Sequence, residues 1–263
     1  GKNLPGLIQI HGGGQSANLN AATTNARRGY ACISINWGGN PLNDGNYQKI
    51  WDEPGTDWGA VDGTHPPKRD PVNHFVSCAP NDFTIDAVES PRNSAWMLVT
   101  IGVRRGLTFL EQQPEVDGAK LGVYGHSMGG KLTVMAAAID DRVQAAVPSC
   151  GGISDHPTEA RMQSSMYHQR LTCPEMFLNP VNDFHGKIDD LAKTVATMPG
   201  KSYRLTCAAN LDHRDRPEHF VCGPLWFDQH LRGGFKFPQT PAEALTLKTA
   251  DAVPSFTVTP DAE

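Results

Sequence analysis

The segment Gly125-His126-Ser127-Met128-Gly129 is the part of this 263-residue chain best suited to chemistry. It has the form G-x-S-x-G. An apolar run, 121–124, precedes it, and an alanine-rich stretch, 128–139, follows. A serine on a tight turn between a buried strand and a helix has its hydroxyl lifted above the sheet. The helix amides and dipole there favour a developing oxyanion. Glycines two residues before and two after remove side chains that would clash in so sharp a turn. The bland alternative is a glycine-rich strand-to-helix turn that carries a serine by chance; the flanking strand and helix favour the nucleophile.

A serine hydroxyl needs a base, and the base needs an orienting acid. After the apolar run 176–178 comes Asn179-Pro180-Val181-Asn182-Asp183, which places Asp183 in a strand-end loop as the acid. After the run 203–208 comes Asn210-Leu211-Asp212-His213, which places His213 before the last long helix as the base. The competing acids Asp189 and Asp190 fall in a helical stretch. The competing bases are His185 and His219, the latter inside the final helix. His126 flanks the serine and reads as a supporting or substrate-contacting residue. A second glycine-rich segment, His11-Gly12-Gly13-Gly14-Gln15, follows the first apolar run. Three successive glycines let backbone amides approach a ligand closely. No G-K-[ST] follows, and G-x-G-x-x-G is absent, so phosphate and dinucleotide cradles have no support.

These residues need a scaffold. Apolar runs at 7–10, 30–35, 121–124, 143–147, 176–178 and 203–208 are nearly continuous, as strands covered on both faces are. Helical patterns lie between them at 91–113, 128–139, 187–197 and 217–231. Ser90 and Pro91 open the first of these, and Pro114 closes it. The alternation predicts a mostly parallel sheet of about six strands with helices on both faces. Residues 1–233 form one catalytic domain on this reading. A 38–90 insertion rich in Gly, Asn, Asp and Pro carries Trp51 and Trp58, candidate faces for a substrate. Residues 234–263 read as a linker and a short β segment, the possible start of an accessory domain.

Hydrophobic residues make up 39% of the chain, enough for one sizeable core. Lys and Arg total 23 against 28 for Asp and Glu, a formal charge of -5 that argues against a nucleic-acid partner. No apolar run approaches the ~18 residues of a membrane helix. None of the six cysteines forms a C-x-x-C pair, so zinc-ribbon and thioredoxin readings have no support. Cys32, Cys150 and Cys207 read as buried thiols, whereas Cys78, Cys173 and Cys222 lie in or beside loops and can pair. The chain begins at Gly1 with no signal peptide in view, and its compartment is left open.

Taken together, the elbow, the glycine loop and the order Ser, Asp, His resemble an α/β-hydrolase. Within that superfamily the chain is similar to the group of dienelactone hydrolases, acetyl-xylan esterases and prolyl oligopeptidases, over about residues 4–233. The resemblance implies ester cleavage through an acyl-enzyme, with no metal or organic cofactor. It implies an oxyanion hole made by Met128 and the 12–14 loop, which resembles the HGGG loop of lipases and esterases. The expected ligand is a small-molecule or carbohydrate ester. Peptidase activity of the prolyl-oligopeptidase type and a silent binding module are the alternatives. The chain departs from the group in having serine where dienelactone hydrolases use cysteine. It also lacks the strands that usually precede the glycine-loop strand.

Overall fold

The computed structural model describes residues 2–13, 17–37, 78–80, 84–155, 162–200, 202–209, 212–215 and 217–238. Gly14, Trp51, Trp58, most of the 38–90 insertion and the tail from 239 lie outside the described residues.

Among the described residues six strands form one sheet: β1 (Leu4–Ile10), β2 (Ala31–Ile35), β3 (Val116–His126), β4 (Val143–Ser149), β5 (Glu175–Pro180) and β6 (Tyr203–Ala208). Their order is β2-β1-β3-β4-β5-β6, and every pairing is parallel. The register aligns Ile10 with Gly125, His126 with Ser149 and Ser149 with Leu178, so the carboxyl ends of the central strands share one edge. Loops leaving that edge meet in space although they are far apart in sequence. The apolar runs are continuous because both faces are covered: residues 5–10 of β1 and all of β5 are buried.

The helices are α1 (Leu19–Arg27), α2 (Ala95–Glu111), α3 (Met128–Ile139), α4 (Ser164–His168), α5 (Leu191–Ala196) and α6 (Pro217–Phe227). One face of the sheet packs Ile8, Ile10, Val123 and Phe177 against Val103, Leu107, Leu132 and Met135. The other packs Leu7, Val147, Met176 and Leu178 against Trp226, Phe227 and Leu231. Each of these buried aliphatic side chains contributes roughly 1.5–3 kcal/mol of transfer free energy. The predicted 91–113 helix is divided. A 3-10 turn, Pro91–Asn93, comes first, then Ser94 in extended backbone caps α2 through Trp96 N. The predicted 187–197 helix likewise begins as a 3-10 turn, Ile188–Asp190. α6 contains Pro224 and unwinds into a π turn, Asp228–Arg232, that stops at Gly233 (φ 72°).

The cysteine reading needs correction. All six are thiols outside any disulfide; Cys78 and Cys173 are buried, whereas Cys207 is exposed. Cys78 and Cys173 are among the apolar side chains of the larger core, so neither is a loop thiol open to pairing. Cys207 sits on β6, the edge strand, which is covered less completely than the centre.

Candidate active site

The elbow is a steric construction. Ser127 takes φ 59° and ψ -120°, a region that costs a non-glycine residue of order 1–3 kcal/mol. Its amide donates to Ser149 O at 2.8 Å, and its carbonyl accepts from Lys131 N at 3.2 Å, tying the turn to β4 and to the first turn of α3. A Cβ at Gly125 would lie 2.4 Å from Ile10 O, and one at Gly129 2.1 Å from the same oxygen. Both glycines are therefore required by the close passage of β1. Met128 occupies the first position of α3, where no intrahelical carbonyl is available to its amide.

Loop residues from two other strand ends complete the site. His213 Nε2 lies 2.6 Å from Ser127 Oγ, and His213 Nδ1 lies 3.0 Å from each carboxylate oxygen of Asp183. A nitrogen facing a carboxylate carries the proton, so Nδ1 donates to Asp183 and Nε2 accepts from the serine hydroxyl. Asp183 is buried and also accepts from His185 N at 2.6 Å and Gly186 N at 2.8 Å. Burial alone would raise its carboxyl. The bonds from His213, Gly186 and His185 outweigh that and hold it at about 2. The competitors are placed elsewhere. Asp189 and Asp190 sit in the 3-10 turn before α5, and Asp190 accepts from Ser154 Oγ. His185 donates from Nδ1 to Cys150 O at 3.2 Å, and burial pushes it down to about 4, so it stays neutral. His219 is buried, 3.6 Å from Asp215.

The glycine loop arrives over the elbow. A Cβ at Gly13 would stand 2.5 Å from Met128 Sδ, so a side chain there would have to displace the methionine. His11 shapes the loop. Its ring stacks on Trp37 at 4.7 Å, Nδ1 faces Gly12 O at 2.7 Å, and Trp37 Nε1 donates to His11 O at 2.9 Å. Burial lowers His11 to about 4, which keeps it neutral.

A second polar cluster borders Ser127, His213 and Asp183 and was not legible in the sequence. His126 Nδ1 lies 3.3 Å from both Ser149 Oγ and Asp215 Oδ1, and Ser149 donates to the same Asp215 oxygen at 2.5 Å. Burial opposes ionisation of Asp215, but bonds from His126, His219 and Ser149 hold its carboxyl well below the usual range. The His126 and His213 rings are 4.9 Å apart. Donor atoms of His126, Cys150 and His213 all lie within 4.8 Å of one another. The nitrogens of His213 are already engaged by Ser127 and Asp183. Burial raises the Cys150 thiol, which faces Arg214 O. The only sequence signal for Asp215 is its position two residues after His213; Ser149 had none beyond ending a strand.

This sheet order and strand-end site define an α/β-hydrolase fold. Residues 88–213 match the dienelactone hydrolase family. The chain is similar in structure to an acetyl xylan esterase from Paenibacillus sp. R4, with 16% identity and a TM-score of 0.63 over 87% of this chain and 75% of that one. An acetyl xylan esterase from Thermoanaerobacterium sp. aligns at 14% identity and a TM-score of 0.59, covering 86% and 75%. An acylaminoacyl peptidase from Pyrococcus horikoshii aligns at 14% and 0.58; 90% of this chain covers 38% of that one. No curated protein sequence matches the chain. No described helix is long and apolar enough to cross a membrane.

Proposed function

We propose that this protein is a serine hydrolase that cleaves carboxylic esters through an acyl-enzyme. The observation that carries this reading is the unbroken relay from Ser127 Oγ to His213 Nε2 at 2.6 Å and from His213 Nδ1 to Asp183 at 3.0 Å. Ser127 Oγ attacks the ester carbonyl as its proton passes to Nε2. Asp183 holds the imidazole in the required tautomer and stabilises its protonated form. The Met128 amide, with amides of the Gly12–Gly14 loop, receives the oxyanion. His213 then returns the proton to the departing alcohol. Water, deprotonated by the same nitrogen, attacks the acyl carbon and restores Ser127.

The substrate we infer is a carbohydrate ester of the acetyl-xylan type, in keeping with the two acetyl xylan esterase neighbours. The peptidase neighbour supports a second reading, amide cleavage, although this chain spans little more than a third of that protein. Trp51, Trp58 and His126 are the side chains assigned to the substrate. The experiment is a turnover panel of acetylated oligosaccharide, p-nitrophenyl esters of graded length and a prolyl peptide, run on wild type and Ser127→Ala. Turnover of acetylated sugar that vanishes in the variant supports the esterase. Peptide cleavage without ester cleavage replaces it by the peptidase, and absence of any turnover leaves a binding module.

A further inference from the structure

A cavity of about 560 Å³ lies between α1 and α6, on the sheet face below the triad edge. It reaches Gly125 and His126 but does not include Ser127, so the relay described above makes no use of it. His126 stands between the two spaces. It touches Asp215 and Ser149, which line the cavity, and its ring packs on His213. The cavity thus begins one imidazole away from the base.

Its two helical walls differ in chemistry. The α1 side presents Asn18, Asn20, Thr24 and Asn25, all uncharged hydrogen-bonding groups. Asn18 commits its carbonyl oxygen to the α1 cap, and Asn25 its amide nitrogen to Ala21 O and Tyr124 Oη. The Asn18 amide nitrogen and the Asn25 carbonyl oxygen take no part in these bonds and are the candidate groups for a ligand. The α6 side presents Phe220, Pro224 and Phe227, and Phe220 is 68% exposed. The two charged residues at the cavity ends already have partners. Arg28 pairs with Asp228 at 2.9 Å, and Asp215 is engaged by His126. Arg28 Nη1 is buried without a hydrogen-bond partner, an N–H donor that an acceptor would satisfy.

An alkyl chain would leave the α1 amides and the Thr24 hydroxyl without partners, at a cost of about 1–3 kcal/mol for each group so desolvated. An anion would meet the Asp215 carboxylate at the His126 end. A sugar ring suits both walls, since its hydroxyl edge bonds amides and its C–H face packs on aromatics. We propose that this cavity is a subsite for an uncharged sugar unit linked to the one whose ester lies at Ser127. The inference rests on the esterase reading and adds a place and a class for the rest of the substrate.

The test uses the full chain carrying Ser127→Ala, titrated calorimetrically with xylotetraose, cellotetraose and 1-octanol. One or both tetrasaccharides should bind, and adding Thr24→Trp should weaken that binding at least tenfold. Thr24 is an exposed α1 residue, so the indole fills cavity space without entering the core. Phe220→Ala, which removes the exposed aromatic face, should weaken binding as well and serves if the tryptophan variant fails to fold. No binding of either sugar, tighter binding of octanol, or sugar binding unchanged in a folded variant would overturn the proposal. Ester turnover by the wild type, measured alongside, separates the two readings. Turnover without sugar binding defeats the subsite alone, and sugar binding without ester turnover defeats the subsite as part of an esterase.

Discussion

Replacing Asp183 by asparagine keeps the size of the side chain and changes what it can accept. The oxygen of the new carboxamide would stay with the amides of His185 and Gly186, now at 2.6 and 2.8 Å, because an NH2 group there would face two donors. The NH2 group then turns to His213 Nδ1, which must lose its proton to accept. The ring proton moves to Nε2, and the atom that should accept from Ser127 becomes a donor. Turnover should fall on the order of 10³- to 10⁴-fold with little change in KM. Stability should fall too. The carboxyl moves from 3.8 to about 2 on folding, which corresponds to roughly 2.4 kcal/mol at neutral pH. The carboxylate is out of direct solvent contact, but the site around it is only partly closed, so solvent screening brings that figure down. The sign follows from a depressed carboxyl: the contribution is complete above about pH 4 and disappears as pH falls through 2. Denaturant unfolding at pH 7 should separate wild type from Asp183→Asn by about 2 kcal/mol, and the gap should close near pH 2. Turnover within tenfold of wild type at pH 7 would refute the tautomer argument.

His213→Ala should abolish ester turnover, whereas His219→Ala should lower the melting temperature and keep most of the rate per folded molecule; a dead His219 variant with an active His213 variant would reverse the assignment. Gly129→Ala should fail to accumulate as folded protein, because its Cβ would stand 2.1 Å from Ile10 O, and a soluble, active variant would show that β1 yields more easily than its register implies. Lys131 is buried under Trp96 with Nζ donating to Met162 O at 2.6 Å, and burial lowers it to about 7. The unfolded chain therefore holds that proton more tightly, so stability should rise between pH 7 and 10, and Lys131→Met should flatten the rise in a melting series over that interval.

The elbow was legible because its own residues are consecutive: a glycine on each side of Ser127 marks the turn, although the carbonyl both must clear, Ile10 O, comes from β1. Asp183 and His213 were legible because a parallel sheet sends successive strand ends to one edge. β1, β4 and β5 were read from their apolar runs for the same reason, burial on both faces. α1 was missed because it has no fully buried residue and is rich in Asn and Thr, so it carries no clear apolar stripe. β3 extends back to Val116 through partly and fully exposed positions that break the run. Ser149 meets Asp215 only in three dimensions, a strand end against a loop, whereas His219 lies four residues after Asp215.

Ester cleavage by this chain requires Ser127 to be an activated nucleophile. Intact-mass and peptide-map spectrometry after exposure to a fluorophosphonate measures this directly, because only a serine whose proton is drawn toward a base reacts at neutral pH. One adduct per chain, mapped to Ser127 and lost in His213→Ala, is the predicted result. An unlabelled wild-type chain that is folded, or an adduct on another serine, would contradict it.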